Sequence, residues 1–281
     1  MSDTAKRAAH VDVASAVDRP PAVDVVSGVD LPLASRARGL ETVAVLGVSL
    51  GMSAIYALMY LIRAQVTVKG GIAATTATVV SGPNTRYVWL DVLDNLADVA
   101  HGLFPGLLAI ALLVRDPGGG GLGIGLDRLR ARVDWLAGIG FTALIGIPGL
   151  ALVWAARELG LNASLAVVDL PDLWYRVPLL LLEAAQNGIL EELVVVGYLL
   201  TRLRQLGWAD YPALGASAVL RGSYHLYQGW GGFLGNMVMG LMFGWWFQRT
   251  RRVLPLVIAH TLLDAISFLG YVYLHGRVSW I

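Results

Sequence analysis

Seven long, unbroken apolar stretches constrain this chain more than any other feature. They run at about 42–62, 96–114, 135–156, 177–203, 211–228, 233–247 and 253–274. A helix needs ~20 such residues to cross a hydrocarbon core ~30 Å thick. Inside lipid, every backbone N–H and C=O must be satisfied within the chain, so only helices or closed barrels can span it. These runs are too long and too continuously apolar for the short alternating strands of a barrel. The expected fold is therefore all-α, a polytopic transmembrane helical bundle of about seven helices. The stretch 66–95, with Gly70-Gly71, a Thr-rich run and Pro83-Asn84, reads as the longest loop. Its 72–80 portion, if it enters the membrane, raises the count to eight.

Composition excludes the main alternatives. Only 15% of the 281 residues are charged and 56% are hydrophobic, where soluble domains carry about a quarter charged. A soluble enzyme and a secreted domain are disfavoured. A net charge of +1 leaves no footprint for a polyanion, so nucleic acid is not an implied partner. The absence of cysteine removes disulfides, thiolate metal sites and a cysteine nucleophile together.

Residues 1–40 are a different material. Asp, Arg, Pro, Ala and Val follow one another without a period, and Pro20-Pro21 and Pro32 punctuate them. The segment reads as a disordered cytosolic tail and lacks the apolar core of a secretory signal. The bundle is expected over 41–281. The glycine run 118–125 lacks the Gly-Lys-Ser/Thr ending of a phosphate loop and reads as a linker. With the N-terminus inside, the 21 Lys and Arg residues divide two to one in favour of inner segments. Arg128, Arg130, Arg132, Arg202, Arg204, Arg249, Arg251 and Arg252 all fall there. This predicts a cytoplasmic N-terminus and an outer C-terminus in the plasma membrane.

The scarce ionisable groups left inside the apolar blocks are the functional signal, since each costs at least ~2.5 kcal/mol at membrane depth. The fourth block reads LLLLEAAQNGILEELVVVGYLL and holds Glu191 and Glu192. Glu183, Asn187 and Glu191 recur at helical spacing and form one polar stripe. Glu192 lies ~100° further round, so the two carboxylates are expected to point apart, one to the site and one to a neighbouring helix. The fifth block carries Arg221 and His225, and the last carries His260 and Asp264, both at i, i+4. At 1.5 Å per residue, Glu191, His225 and His260 sit roughly 18, 22 and 12 Å from the inner ends of their helices. All three therefore reach the middle of the bilayer. Glu183, Asn187 and Asn236 read as interhelical hydrogen-bond partners, and His101 as packing. Trp89, Trp135, Trp174 and Tyr175 read as interface anchors, and Gly231, Gly235, Gly240 and Gly244 as small-residue helix packing.

These residues resemble the motifs of the CPBP intramembrane proteases, which include the Ras-converting CAAX endopeptidases and the bacterial Abi proteins. The family's EExxxR stands here as Glu191-Glu192-Leu193-Val194-Val195-Val196, its FxxxH as Arg221 through His225, and its HxxxN/D as His260 through Asp264. The resemblance covers about 177–270. Val196 replaces the family's Arg and Arg221 replaces its Phe. One reading makes Arg221 the relocated cation, pairing with Glu192 or Glu183; the other has it snorkel outward.

The resemblance implies an endopeptidase acting on a membrane-associated peptide or protein. Glu191 activates water with help from His225, and Glu192, His260 and Asp264 complete the site, with Arg221 and Asn187 supporting. It leaves open a zinc site on Glu191, His225 and His260 or a metal-free mechanism. A catalytically silent scaffold or immunity protein, and a proton-coupled carrier using the same buried groups, are the alternative functions. Nothing in the chain indicates the substrate.

Overall fold

The computed structural model describes residues 30–81, 87–116, 123–126, 129–169, 172–275 and 277. Residues 1–29 of the expected tail and 118–122 of the glycine linker lie outside them. Helix α1 (Asp30–Gly47) begins inside the segment read as tail. Pro32 does not prevent it, because the first turn of a helix has no internal acceptor for its N–H groups. Helix α2 (Leu50–Thr67) follows at a bend of 52°. Ser49 marks that bend, its hydroxyl donating back to the Val45 carbonyl at 2.6 Å.

The chain continues through α3 (Val88–Val114), α4 (Ala131–Glu158), α5 (Arg176–Glu191), α6 (Leu199–Gln205), α7 (Asp210–Tyr224), α8 (Trp230–Thr250) and α9 (Leu254–Leu274). The architecture is all-α apart from one small sheet. Helices α3, α4 and α9 are each long and apolar enough to cross a membrane, and the bent α1–α2 pair makes a fourth. On α4, Leu136, Ile139, Leu144, Ile147 and Leu150 are exposed. An outward apolar face of this kind suits lipid and not water. This is a multi-pass membrane protein. Trp89, Trp135 and Trp174 are exposed as interface anchors would be, but Tyr175 is buried.

The loop expected over 66–95 is more ordered than a loop. Its described residues hold a 3-10 turn (Gly71–Ala74), strand β1 (Thr76–Ser81) and the first turns of α3, with no long helix between α2 and α3 among them. Strand β1 pairs in parallel with β2 (Ser164–Asp169), Thr76 opposite Ser164. The β-branched content of TATVV favours extended backbone once a partner strand is available.

The two ends of the bundle are stitched differently. One end holds the sheet, and the turn after α7 is tied to it: the Gln228 carbonyl accepts from the Ala163 N–H, and the buried Asn162 side chain accepts from the Gly231 N–H at 2.8 Å. That second bond satisfies one of the orphan donors at the start of α8. The opposite end is held by ions. Arg202, fully buried, binds Glu41 of α1, Asp116, Gln205 and the Leu112 carbonyl. Nearby, the Arg252 guanidinium grips Asp134 at 2.8 and 3.0 Å.

Candidate active site

Residues 176–205 form one continuous rod, α5 running into α6 through a π-helical stretch over Glu192–Tyr198. Its Val194-Val195-Val196-Gly197 core is poor in helix propensity, which eases the departure from α-winding. Such wide turns occur frequently at functional sites. Here the turn begins at the second of the paired glutamates.

The two carboxylates do not diverge. Arg221, from the last turn of α7, reaches both: its Nη2 lies 3.2 Å from Glu191 Oε2, and the same nitrogen bonds Glu192 Oε1. Its Nη1 lies 3.4 Å from Glu192 Oε2. The ~100° offset holds at Cα, but winding that changes between the two residues and flexible Glu side chains allow one guanidinium to collect both. Arg221 and Glu192 are fully buried and Glu191 is 8% exposed. Charges so placed require each other, since one alone in a low-dielectric interior is costly. Arg221 thus points into the bundle, on Glu192 and Glu191, and Glu183 takes no part. The guanidinium also lies 5.4 Å from the centre of the Phe243 ring on α8, within cation–π range. Its Nε has no partner among the described residues.

Helix α9 closes the third side. His260 Nδ1 lies 2.7 Å from Glu192 Oε1 and 3.2 Å from Arg221 Nη2. An ionised carboxylate can only accept, so that nitrogen carries the proton and donates to Glu192. Its Nε2 faces Asp264 at 3.8 Å, an ion-pair distance too long for a hydrogen bond. Asn187, one turn before Glu191, donates to Asp264 at 3.3 Å. Close helix approach permits this. A Cβ on Gly188 would stand 3.0 Å from the Thr261 amide and 3.1 Å from the Val257 carbonyl, so α5 and α9 need glycine there. Gly240 does the same for α7 and α8, where a Cβ would lie 3.0 Å from Ala218 Cα and 3.2 Å from Arg221 Cδ.

Tyr224 is a member that the sequence patterns missed. Its hydroxyl donates to Glu191 Oε2 at 2.7 Å, and the residue is buried. Its spacing of i, i+3 from Arg221 places both on one face of α7 and was the available signal. Phe243 had none. His225, half-buried, caps α7, and its Nδ1 lies 3.1 Å from the Arg221 carbonyl. Because a carbonyl only accepts, Nδ1 is the donor and Nε2 of the neutral ring keeps a free lone pair. Rings of Tyr224 and Tyr227 flank it, with centroids at 4.8 and 6.5 Å.

Glu191, Glu192, Arg221, His260, Asp264 and Asn187 therefore form one connected network, with His225 at its edge. The candidate zinc ligands Glu191, His225 and His260 lie in this network or at its edge. Among the described residues no three His, Asp or Glu side chains are grouped to hold a metal ion. The cation between the two glutamates is the guanidinium, and His260 donates to the Glu192 carboxylate through Nδ1, with its Nε2 turned towards Asp264. The glycines after His225 pack tightly. A Cβ on Gly229 would lie 2.4 Å from the Leu161 carbonyl oxygen.

No curated protein matches the chain, and no solved structure does. One family model matches residues 173–266, about a third of the chain and the part that contains every residue of this network. That family is described as Rce1-like, type II CAAX prenyl endopeptidase, a match consistent with the CPBP/CAAX protease family.

Proposed function

We propose that this protein is an intramembrane endopeptidase that hydrolyses a peptide bond in a membrane-associated substrate, with water activated by Glu191. One observation carries the reading: five side chains from three helical segments, Glu191, Glu192, Arg221, Tyr224 and His260, meet in one buried cluster centred on the guanidinium and the two carboxylates. The family match adds that peptidases share this segment.

The roles follow from placement. Glu191 is the more exposed carboxylate, and it keeps an oxygen beyond its bonds to Arg221 and Tyr224. It is the general base. Glu192, fully enclosed by Arg221 and His260, is a brace that fixes the guanidinium. Glu191 takes one proton from the attacking water and passes it to the leaving amine, while His225 accepts a hydrogen bond from that water through Nε2 and orients it. His260 and Asp264 hold the far wall. The charge of Arg221 stabilises the anionic intermediate that forms beside Glu191. Water, peptide and these side chains suffice for the chemistry.

The bundle would cross the membrane seven times, with α1–α2 and α5–α6 each counted as one span. Alternating crossings then return β1 and β2 to one side and the Arg202 and Arg252 locks to the other, as their contacts require. We assign the ionic end to the cytoplasm and the sheet end to the exterior of a plasma membrane.

The test is product analysis on purified protein in liposomes containing membrane-anchored peptides, before and after dialysis against a zinc chelator. The expected result is a single new peptide terminus and turnover that survives the chelator. A loss restored by added zinc would overturn the metal-free assignment. No cleavage of any peptide, with biological activity intact in a Glu191→Ala variant, would favour the scaffold reading instead.

A further inference from the structure

Beside the network lies a cavity of about 470 Å³, lined among others by Tyr56 and Tyr60 of α2, Thr76 and Thr78 of β1, and Tyr224 and Tyr227. Tyr224 belongs to both places, since its hydroxyl is bonded to Glu191. The cavity is therefore one aromatic ring away from the proposed general base.

The wall made by β1 has a definite polarity. The Thr75 carbonyl accepts from the Ser164 N–H, and Thr76 is opposite Ser164. In a parallel ladder a residue directs both backbone groups to the same neighbour, and successive residues alternate. Thr75, Ala77 and Val79 thus bond β2, while Thr76 and Thr78 turn their N–H and C=O away from it, to the open edge. The sheet has two strands, and no partner for these outward groups occurs among the described residues. Thr76 and Thr78 are exposed, and an open edge is a template for another strand.

We propose that the peptide substrate binds in extended form as a third strand on this edge of β1, its backbone read by Thr76 and Thr78 and its side chains lying among the tyrosines of α2 and α7. Recognition of this kind depends on main-chain amides and tolerates many side chains. It also holds the substrate extended, so that its peptide bonds are exposed one by one to Glu191. The inference rests on the peptidase reading for its choice of occupant.

The chain contains no cysteine, and the N–H of Thr78 is not used by β2, so two independent tests are available. The first measures cleavage of a peptide library, prenylated and unprenylated, in which single amides are N-methylated. Methylation at alternate positions near the cut should raise KM about fivefold or more with kcat little changed, the loss of one hydrogen bond. Thr78→Pro, which deletes the outward N–H at an edge position where proline is tolerated, should raise KM similarly, and Thr78→Ala, which keeps that N–H, should raise it less. Insensitivity to methylation at every position, with Thr78→Pro matching Thr78→Ala, overturns the proposal. The second test needs no turnover. With a mild thiol oxidant added to take up the two electrons, Thr78→Cys should trap cysteine-bearing peptides from the same library as a disulfide in preference to Leu144→Cys on the exposed face of α4. Equal trapping at both overturns the strand-edge site. Absence of cleavage with selective trapping at 78 overturns the peptidase reading alone.

Discussion

Arg221 decides the energetics of the site, because it is the cation on which two buried carboxylates depend. Arg221→Met would leave both without their shared guanidinium, a change that costs about 3–5 kcal/mol in a buried pair. Adding Glu192→Gln removes one orphaned charge, so the double variant should unfold at a higher temperature than the single one. Thermal unfolding in detergent checks this, and a double variant less stable than the single would refute it. Tyr224→Phe keeps the ring and deletes the bond to Glu191, an interaction with a charged group of about 1.5–3 kcal/mol. It should lower kcat by roughly tenfold or more while leaving the Arg221 contacts intact, as read by steady-state kinetics and unfolding temperature. The motif residues were legible at this scale because charge inside an apolar block is conspicuous. Tyr224 was not, since a tyrosine beside a histidine near a helix end looks like an interface anchor. The relation of Glu191 to Glu192 was misread for another reason: an angle at Cα does not limit where long side chains meet when the winding changes between them.

Helices α5, α7 and α9 work as positioning elements because small residues let them approach. Gly188→Val would force a side chain against the Thr261 amide and the Val257 carbonyl. Overpacking of this kind costs about 1–3 kcal/mol. It should also separate Glu192 from His260, so activity should fall further than the stability loss alone explains; a variant with parental kcat would show that the α5–α9 spacing is unimportant. The glycine spacing on α8 was readable as helix packing, and Gly240 and Gly244 do pack on α7 through Ala218 and Leu214. The small sheet was not read, although TATVV and SLAVV both carry strand-forming residues. Each is short, and neither reveals a partner about 90 residues away in a chain dominated by helical blocks.

At the scale of the whole molecule, apolar blocks alone were enough to read a membrane bundle. Its start was not legible, because Pro32 looks like a terminator unless the helix is known to begin two residues before it. The alternation of ends gives a direct prediction. In this cysteine-free chain, Lys69→Cys at the sheet end and Arg249→Cys at the ionic end should label from opposite sides of sealed cells with a membrane-impermeant maleimide, Lys69→Cys from outside. Labelling of both from one side would contradict the seven-span arrangement. The central claim is that Glu191 activates the water, and it is tested most directly by kcat/KM on one cleaved peptide for the parent, Glu191→Gln and Glu183→Gln. Glu183 shares the helix but not the network. The account predicts a fall of about 10²–10⁴ for Glu191→Gln at unchanged fold, with Glu183→Gln close to the parent. Turnover retained by Glu191→Gln, or lost equally in both variants, would contradict it.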